Sequence, residues 1–116
     1  MSTPVGPYTP IVRAGDWLIC SGQLGIVDGV LVDSGVQDQA QQAIVNLRAL
    51  LEGEGASLQS VVKTTVFLTH ISDFALVNEV YAAGFGDHRP ARSAVAVSAL
   101  PLGGLVEIEA WAYHPA

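Results

Sequence analysis

The 116-residue sequence has few of the residues that proteins use to bind metals, phosphates or nucleic acids. Its single cysteine, Cys20, excludes an internal disulfide and a cysteine-rich zinc site. Its five basic residues are scattered and its net charge is −6, so we expect neither nucleic acid nor an anionic membrane as a partner. No apolar run reaches the roughly 18 residues of a membrane helix, and the N-terminus has no signal-peptide pattern. We therefore expect a cytoplasmic protein.

Most familiar catalytic signatures are also missing. The sequence has no phosphate-binding loop ending in Lys-Ser/Thr, no G-x-S-x-G motif and no H-E-x-x-H motif. The three histidines are far apart along the chain, so a metal site is not expected. Cys20 lies in the apolar run Trp17–Cys20, which favours a core residue over a nucleophile.

What the sequence does have is apolar material. Half of its residues are hydrophobic and only 14% are charged, which is enough for one core in a single domain spanning residues 1–116. It is more than a lone domain of this size normally needs. We therefore expect an oligomer, in which other copies of the chain cover part of the apolar surface.

The apolar periodicity predicts seven or eight elements in the order β-β-(β)-α-β-α-β-β. Strands are expected at Ile11–Arg13, Trp17–Ser21, weakly Val30–Val32, Val61–Leu68, Arg92–Val97 and Leu105–Tyr113. Helices are expected at 35–52, capped by Asp33 or Ser34 and closed by Gly53 and Gly55, and at about Asp73–Phe85, capped by Ser72. This order predicts an α/β (α+β) fold, a mixed sheet with two helices on one face.

The last predicted strand alternates in character. Because side chains alternate along a strand, one set should face the helices, namely Val106, Ile108, Ala110 and Ala112. The other set should lie on the helix-free face, namely Glu107, Glu109, Trp111 and Tyr113. Large aromatic side chains on that face need a cover, and a second subunit is the simplest one.

Two charged residues are candidates for chemistry. Arg92 follows Arg89-Pro90-Ala91 at the start of an apolar strand, and its planar guanidinium matches a substrate carboxylate. The alternative for Arg92 is an edge-strand ion pair with a surface acid. Glu107 could act as a general base for water, or it could belong to a solvated strand face.

Several motifs occur in a specific order and resemble those of one family. They are Gly6-Pro7-Tyr8, Ser21-Gly22-Gln23, Val61–Leu68, Val77-Asn78-x-x-Tyr81, Arg89–Ser93, Leu100-Pro101 and Val106–Ala110. In this order and spacing the sequence resembles the Rid (reactive intermediate deaminase, YjgF-type) family, formerly called endoribonuclease L-PSP, over nearly its whole length.

The resemblance implies a chorismate-mutase-like fold and a homotrimer with active sites between subunits. It also implies that 2-iminobutanoate, 2-iminopropanoate and their enamines are hydrolysed to 2-oxo acids and ammonia without a cofactor or a metal. By position, Arg92 would bind the substrate carboxylate and Glu107 would position or deprotonate water. The residues expected to line the pocket are Tyr8, Ser21, Gly22 and Asn78. Ala94 stands where well-known members have a cysteine.

Two alternatives from other functional classes remain open. Some family members have been described as endoribonucleases or translation inhibitors, although the acidity of this chain weighs against RNA binding. A non-catalytic trimer that binds metabolites would use Arg92 equally well. Glu107 argues against that alternative, because a carboxylate repels a bound acid and makes sense mainly for chemistry.

Overall fold

The structure, a computed structural model, describes residues 6–116. Residues 1–5, where no signal peptide is predicted, lie outside this range. The strands are β1 (Ile11–Ala14), β2 (Trp17–Leu24), β3 (Ile26–Val27), β4 (Val30–Leu31), β5 (Val61–Leu68), β6 (Ala91–Ala96) and β7 (Val106–Tyr113). The helices are α1 (Val36–Glu52) and α2 (Phe74–Phe85), and short 3-10 turns cover Leu58–Ser60, Ile71–Asp73 and Pro101–Gly103.

Five strands form one mixed sheet in the order β1-β2-β7-β5-β6. All neighbours are antiparallel except β5 and β6, which run parallel and are connected through α2. Parallel neighbours need such a crossover, because a tight turn cannot return the chain to the same end of the sheet. The small strands β3 and β4 form a separate two-stranded ribbon. The predicted mixed sheet is confirmed.

Both helices lie on one face of the sheet, as the sequence predicts. Helix α1 packs on β2, β7 and α2. The hydroxyl groups of Tyr81 on α2 and Thr64 on β5 are 2.7 Å apart and form a buried hydrogen bond. The predicted inward set of β7 is fully buried beneath the helices: Val106, Ile108, Ala110 and Ala112.

Within residues 6–116 no helix covers the opposite face of the sheet, which carries an aromatic group. Trp111 and Tyr113 on β7 are 45% and 48% exposed. The Trp17 ring packs edge-on against both of them, at centroid distances of 6.2 and 5.3 Å. This arrangement confirms the predicted alternation along β7. We refer to this side of the sheet as the open face.

The predicted N-terminal caps of both helices are wrong. Helix α1 begins after Gly35, whose φ of 112° is a conformation that L side chains avoid, and no side chain caps it. The Ser34 hydroxyl instead donates to a carboxylate oxygen of Asp38 in the first turn, at 2.5 Å. Ser72 lies within the 3-10 turn that precedes α2, so Asp73 occupies the N-cap position without a capping bond. At the other end of α1, Gly53 is the C-cap, as predicted.

Helix α1 is fixed against the end of β2 by two polar side chains and a glycine. The buried Gln39 amide donates to the Val32 carbonyl and accepts from the Leu105 N–H, at 2.9 and 2.8 Å. The Asn46 amide donates to the carbonyls on either side of Gly25. A Cβ on Gly25 would lie 2.6 Å from the Gln39 Cα, so only glycine permits this approach. These contacts hold α1 close to Leu24 and Ile26, which line the cleft described next.

Neither helix in residues 6–116 is long and apolar enough to cross a membrane.

Candidate functional site

A cleft of about 640 Å³ opens at the end of β2. Strand β1 pairs only with residues 17–20 of β2, so the rest of that edge is left to the cleft. Four of the predicted site residues line it: Tyr8, Ser21, Gly22 and Glu107. Other walls come from α1, from the β3–β4 ribbon and from Pro101. The structure thus brings together most of the predicted pocket.

A β-bulge places Ser21 and Gly22 in this cleft. Cys20 pairs with Ala110 and Gln23 pairs with Ile108, so two residues of β2 lie opposite the single residue Glu109 of β7. Such an extra residue bends a strand and redirects its neighbours, and bulges are common beside active sites. The bulge explains why this segment leaves the regular ladder.

Ser21 also holds the segment that carries Tyr8. Its N–H donates to the Pro10 carbonyl and its hydroxyl donates to the Thr9 carbonyl, both at 2.8 Å. The chain at residues 8–10 therefore lies alongside β2 and forms one wall of the cleft. Tyr8 is 43% exposed at its mouth.

Gly22 and Glu107 are in direct contact. A Cβ on Gly22 would lie 2.7 Å from Cδ and 2.9 Å from Cγ of Glu107, well inside van der Waals contact. The Glu107 side chain therefore occupies the space that a Cβ at position 22 would fill. This close approach is the structural reason for a glycine within the Ser21-Gly22-Gln23 motif.

The Glu107 carboxyl is half-buried, and its surroundings make it a stronger base. Burial raises the pKa of Glu107 above its usual value, and the negative charge of Glu109 raises it further. A carboxylate with a raised pKa accepts a proton from water more readily. Glu107 is thus suited to activating a water molecule in the cleft.

Arg92 lies on the other side of the sheet. It pairs in register with Thr64, whose side chain is fully buried on the helix face. One guanidinium N–H donates to the Asn78 Oδ1 at 2.8 Å. The guanidinium carbon lies 5.3 Å from the centre of the Phe74 ring and 4.9 Å from that of Tyr81. None of these contacts is a carboxylate, so they do not support the edge-strand ion pair.

The two predicted catalytic groups therefore do not meet within one chain. Glu107 pairs with Phe67, which in turn pairs with Val95, three residues beyond Arg92 on β6. Strand spacing puts the Glu107 and Arg92 Cα atoms roughly 14 Å apart. Because Arg92 is an odd number of residues from Val95, which is in register with Glu107, the Arg92 and Glu107 side chains point to opposite faces of the sheet. One chain contains two half-sites: the cleft with Glu107, and the Arg92–Asn78 pair.

The predicted site residues do not include the aromatic neighbours of Arg92. Phe74 and Tyr81 both lie over its guanidinium, and Phe74 is 38% exposed. With Asn78 they occupy positions i, i+4 and i+7, which share one helix face. An asparagine between two aromatic residues at this spacing is the signal that could have revealed the group.

Two predictions about chemistry can be compared directly with the structure. Cys20 is buried in the hydrophobic core, and burial raises its thiol pKa to about 12, so the thiol is not a nucleophile at neutral pH. From Gly6 to the C-terminus, no group of three or more His, Cys, Asp or Glu residues is arranged to hold a metal ion. That metal-free catalysis occurs stays a prediction.

Comparison with known proteins identifies relatives along almost the entire chain. A family model described as "Endoribonuclease L-PSP" matches residues 1–114. A RutC family protein from Pyrococcus horikoshii is 47% identical over 112 residues, covering 95% of this chain and 89% of that protein. The 2-iminobutanoate/2-iminopropanoate deaminase of Bos taurus is 46% identical over 108 residues, covering 91% and 79%.

Solved structures of related proteins share this fold. The crystal structure of RidA from an Antarctic Psychrobacter superposes with a TM-score of 0.92 at 45% identity, covering 97% of this chain and 92% of that one. This likeness confirms the predicted fold class, α+β and chorismate-mutase-like. Relatives named as imine deaminases indicate an enzyme family. On the extent of these matches, the chain belongs to the Rid (YjgF, endoribonuclease L-PSP) family.

Proposed function

We propose that this protein hydrolyses 2-iminobutanoate, 2-iminopropanoate and related 2-imino acids to 2-oxo acids and ammonia, without a cofactor. The observation that supports this most directly is the Glu107 carboxyl, half-buried in a cleft, with its pKa raised and its side chain packed on Gly22. The reaction class comes from relatives that are named 2-iminobutanoate/2-iminopropanoate deaminase.

Arg92 is suited to the substrate carboxylate. A guanidinium has five N–H donors in a planar fork, and the Asn78 bond uses one of them. A carboxylate can take two parallel bonds from such a fork, which fixes its orientation as well as its position. In the proposal Asn78 sets the rotation of the fork, and the carboxylate occupies the remaining edge.

Glu107 activates water in the proposed reaction. The carboxylate removes a proton from water while the oxygen bonds to C2 of the imine, and the carboxyl then passes this proton to the imine nitrogen. In the resulting carbinolamine, Glu107 transfers the hydroxyl proton to the nitrogen, the C–N bond breaks, and ammonia leaves as the C2 carbonyl forms. The imine carbon is already electrophilic, so the reaction requires neither a nucleophilic side chain nor an oxidant.

The two half-sites must come from different subunits to act on one small substrate. A substrate of four carbons cannot contact groups on opposite faces of a sheet that are roughly 14 Å apart. We therefore propose a homotrimer in which Arg92 of one subunit meets the Glu107 cleft of the next. The exposed Trp111 and Tyr113 on the open face support burial of that face between subunits.

A coupled assay tests the proposal. A pyridoxal-phosphate dehydratase generates 2-iminobutanoate or 2-aminoacrylate in situ, and release of 2-oxo acid and ammonia is followed with and without this protein. Accelerated release is expected from the wild type, and little from Glu107→Gln or Arg92→Ala. Wild-type rates in both variants would refute the mechanism. Sedimentation of the wild type as a monomer at micromolar concentration would refute the shared site.

Two further expectations accompany the proposal. The protein is expected to act in the cytoplasm, on a small-molecule substrate. It is also expected neither to cleave RNA nor to bind membranes. Genuine RNA binding would weaken steeply with rising salt. We expect no salt-dependent binding of single-stranded RNA and no cleavage of it.

A further inference from the structure

The contacts around Arg92 form a closed network between β5, β6 and α2. Arg92 on β6 pairs in register with Thr64 on β5, and the Thr64 hydroxyl is bonded to the Tyr81 hydroxyl at 2.7 Å. The Tyr81 ring returns to the Arg92 guanidinium at 4.9 Å. The orientation of the ring is thus tied to the same pair of strands that carries the arginine.

The guanidinium lies over two aromatic rings. Phe74 and Tyr81 are seven residues apart on α2, a rise of about 10.5 Å along the helix axis. The guanidinium carbon is 5.3 Å from one ring centre and 4.9 Å from the other. Asn78, whose Oδ1 accepts a hydrogen bond from the guanidinium, lies between Phe74 and Tyr81 along the helix. Both distances are within the range of cation–π attraction.

The two rings differ in what surrounds them. Tyr81 is buried, packs against Phe85 and is fixed by Thr64. Burial raises the pKa of Tyr81, so the phenol stays neutral and does not form an ion pair with Arg92. Phe74 stands at the start of α2 and is partly exposed. The group therefore has a fixed inner ring and an accessible outer ring.

We propose that Phe74 and Tyr81, with Thr64 behind Tyr81, are positioning residues that hold the Arg92 fork in the orientation needed for a carboxylate. We call Phe74 and Tyr81 the aromatic clamp. This inference rests on the proposed function, because it assumes that Arg92 binds the substrate carboxylate. Neither ring touches the reacting carbon; each acts through the arginine.

The arginine needs such a clamp because a long, flexible side chain must be ordered to bind a ligand with both arms. Ordering it before binding lowers the entropic cost of association. The rings restrict the plane of the guanidinium, while the Asn78 bond restricts its rotation. Loss of a ring should therefore weaken carboxylate binding more than it slows the chemical step.

The test measures the Kd of 2-oxobutanoate by calorimetry and the turnover of imine generated in situ, both per folded assembly. Phe74→Leu is expected to raise the Kd about three- to tenfold, the range of a cation–π contact, with a smaller change in kcat. Tyr81→Leu should raise it at least as much. Tyr81→Phe keeps the ring and should restore most of the binding lost in Tyr81→Leu.

Double substitutions separate positioning from a general effect on folding. Tyr81→Phe, Thr64→Val and the pair together should weaken binding equally, because each removes the same hydrogen bond. In an Arg92→Lys background, Phe74→Leu should change the Kd no further. Val77→Ala is the matched control: it trims a buried residue of the same helix and should lower Tm without changing the Kd.

The outcomes distinguish this inference from the proposed function. An active wild type whose Kd is unchanged by Phe74→Leu would overturn the clamp alone. A wild type that neither binds 2-oxobutanoate nor hydrolyses imines would overturn both. Because Phe74 is partly exposed at a helix end, Phe74→Leu is expected to fold even if the Tyr81 variants do not, and its Kd then decides.

Discussion

The division of the site between two sheet faces can be tested by mixing inactive subunits. Arg92→Ala removes the proposed carboxylate site and leaves the Glu107 cleft intact, whereas Glu107→Gln does the reverse. Each variant alone should be inactive. After co-refolding or subunit exchange of the two variants, some interfaces will contain an intact Arg92 from one subunit and an intact Glu107 from its neighbour.

The recovery expected from random mixing follows from the geometry. In a closed ring with one shared site per interface, a given site has an intact Arg92 with probability one half and an intact Glu107 with probability one half. A 1:1 mixture should therefore recover about a quarter of the wild-type activity. If both groups acted from one chain, the same mixture would recover nothing.

A second mixture provides an independent control. Wild-type subunits are mixed 1:1 with subunits that carry both Arg92→Ala and Glu107→Gln. Shared sites predict about a quarter of the wild-type activity, whereas sites within one chain predict about half. Native mass spectrometry confirms that mixed assemblies form. Verified mixing with no recovery in the first experiment, and half activity in the second, would refute the shared site.

Four shorter predictions concern single residues. Arg92→Lys should lower kcat/KM by roughly tenfold or more while the assembly persists, because a point charge cannot replace a planar fork; enzyme kinetics and sedimentation check this. Gly22→Ala should leave Tm nearly unchanged but lower turnover by about tenfold or more, because the new Cβ displaces only the flexible Glu107 side chain. Cys20→Ala should cost about 1 kcal/mol in denaturant unfolding and leave kinetics intact; lost activity in a folded protein would show that the thiol takes part. Folding raises the pKa of Glu107, so its ionised form lowers the stability of the folded state at pH values above that pKa. Below the usual value of 4.5 the carboxyl is protonated in both states and has no such effect. Glu107→Gln should therefore melt at a higher temperature than wild type at pH 7, and this difference should vanish in melts near pH 4.

The sequence was most informative where the two faces of one strand differ in residue type. Along β7 the residues that face the helices are small or aliphatic, and the alternate ones are acidic or aromatic, so the period of two assigns both faces without a partner strand. Apolar spacing likewise predicted the bounds of β5 and both helices to within about two residues.

Strand β6 offers no such contrast. Arg92 and Ala94 alternate with Ala91, Ser93 and Val95, and neither set is clearly the inner one. Only the parallel register with β5 shows that Arg92 lies on the helix face. The separation of Arg92 from Glu107 therefore depends on pairing between strands, which one sequence does not reveal.

Local features that depend on backbone geometry were also missed. The bulge at Ser21 and Gly22 exists only relative to β7. Of the short β3–β4 ribbon, only the second strand was predicted, weakly, at Val30–Val32, where β4 spans Val30–Leu31. The N-cap prediction of Asp33 or Ser34 failed because Gly35 occupies the N-cap position of α1, with a positive φ that other residues rarely adopt.

The central position of β7 has a consequence for how the chain folds. Strand β7 lies between β2 and β5, so its partners are separated from it by long stretches of sequence. Such non-local pairing slows folding, because the intervening chain must be ordered first. During synthesis the sheet cannot close until β7 has left the ribosome, and until then β2 and β5 expose unpaired edges. A truncation before Leu105 would remove the middle of the sheet rather than its margin, and we expect aggregation instead of a shortened folded protein.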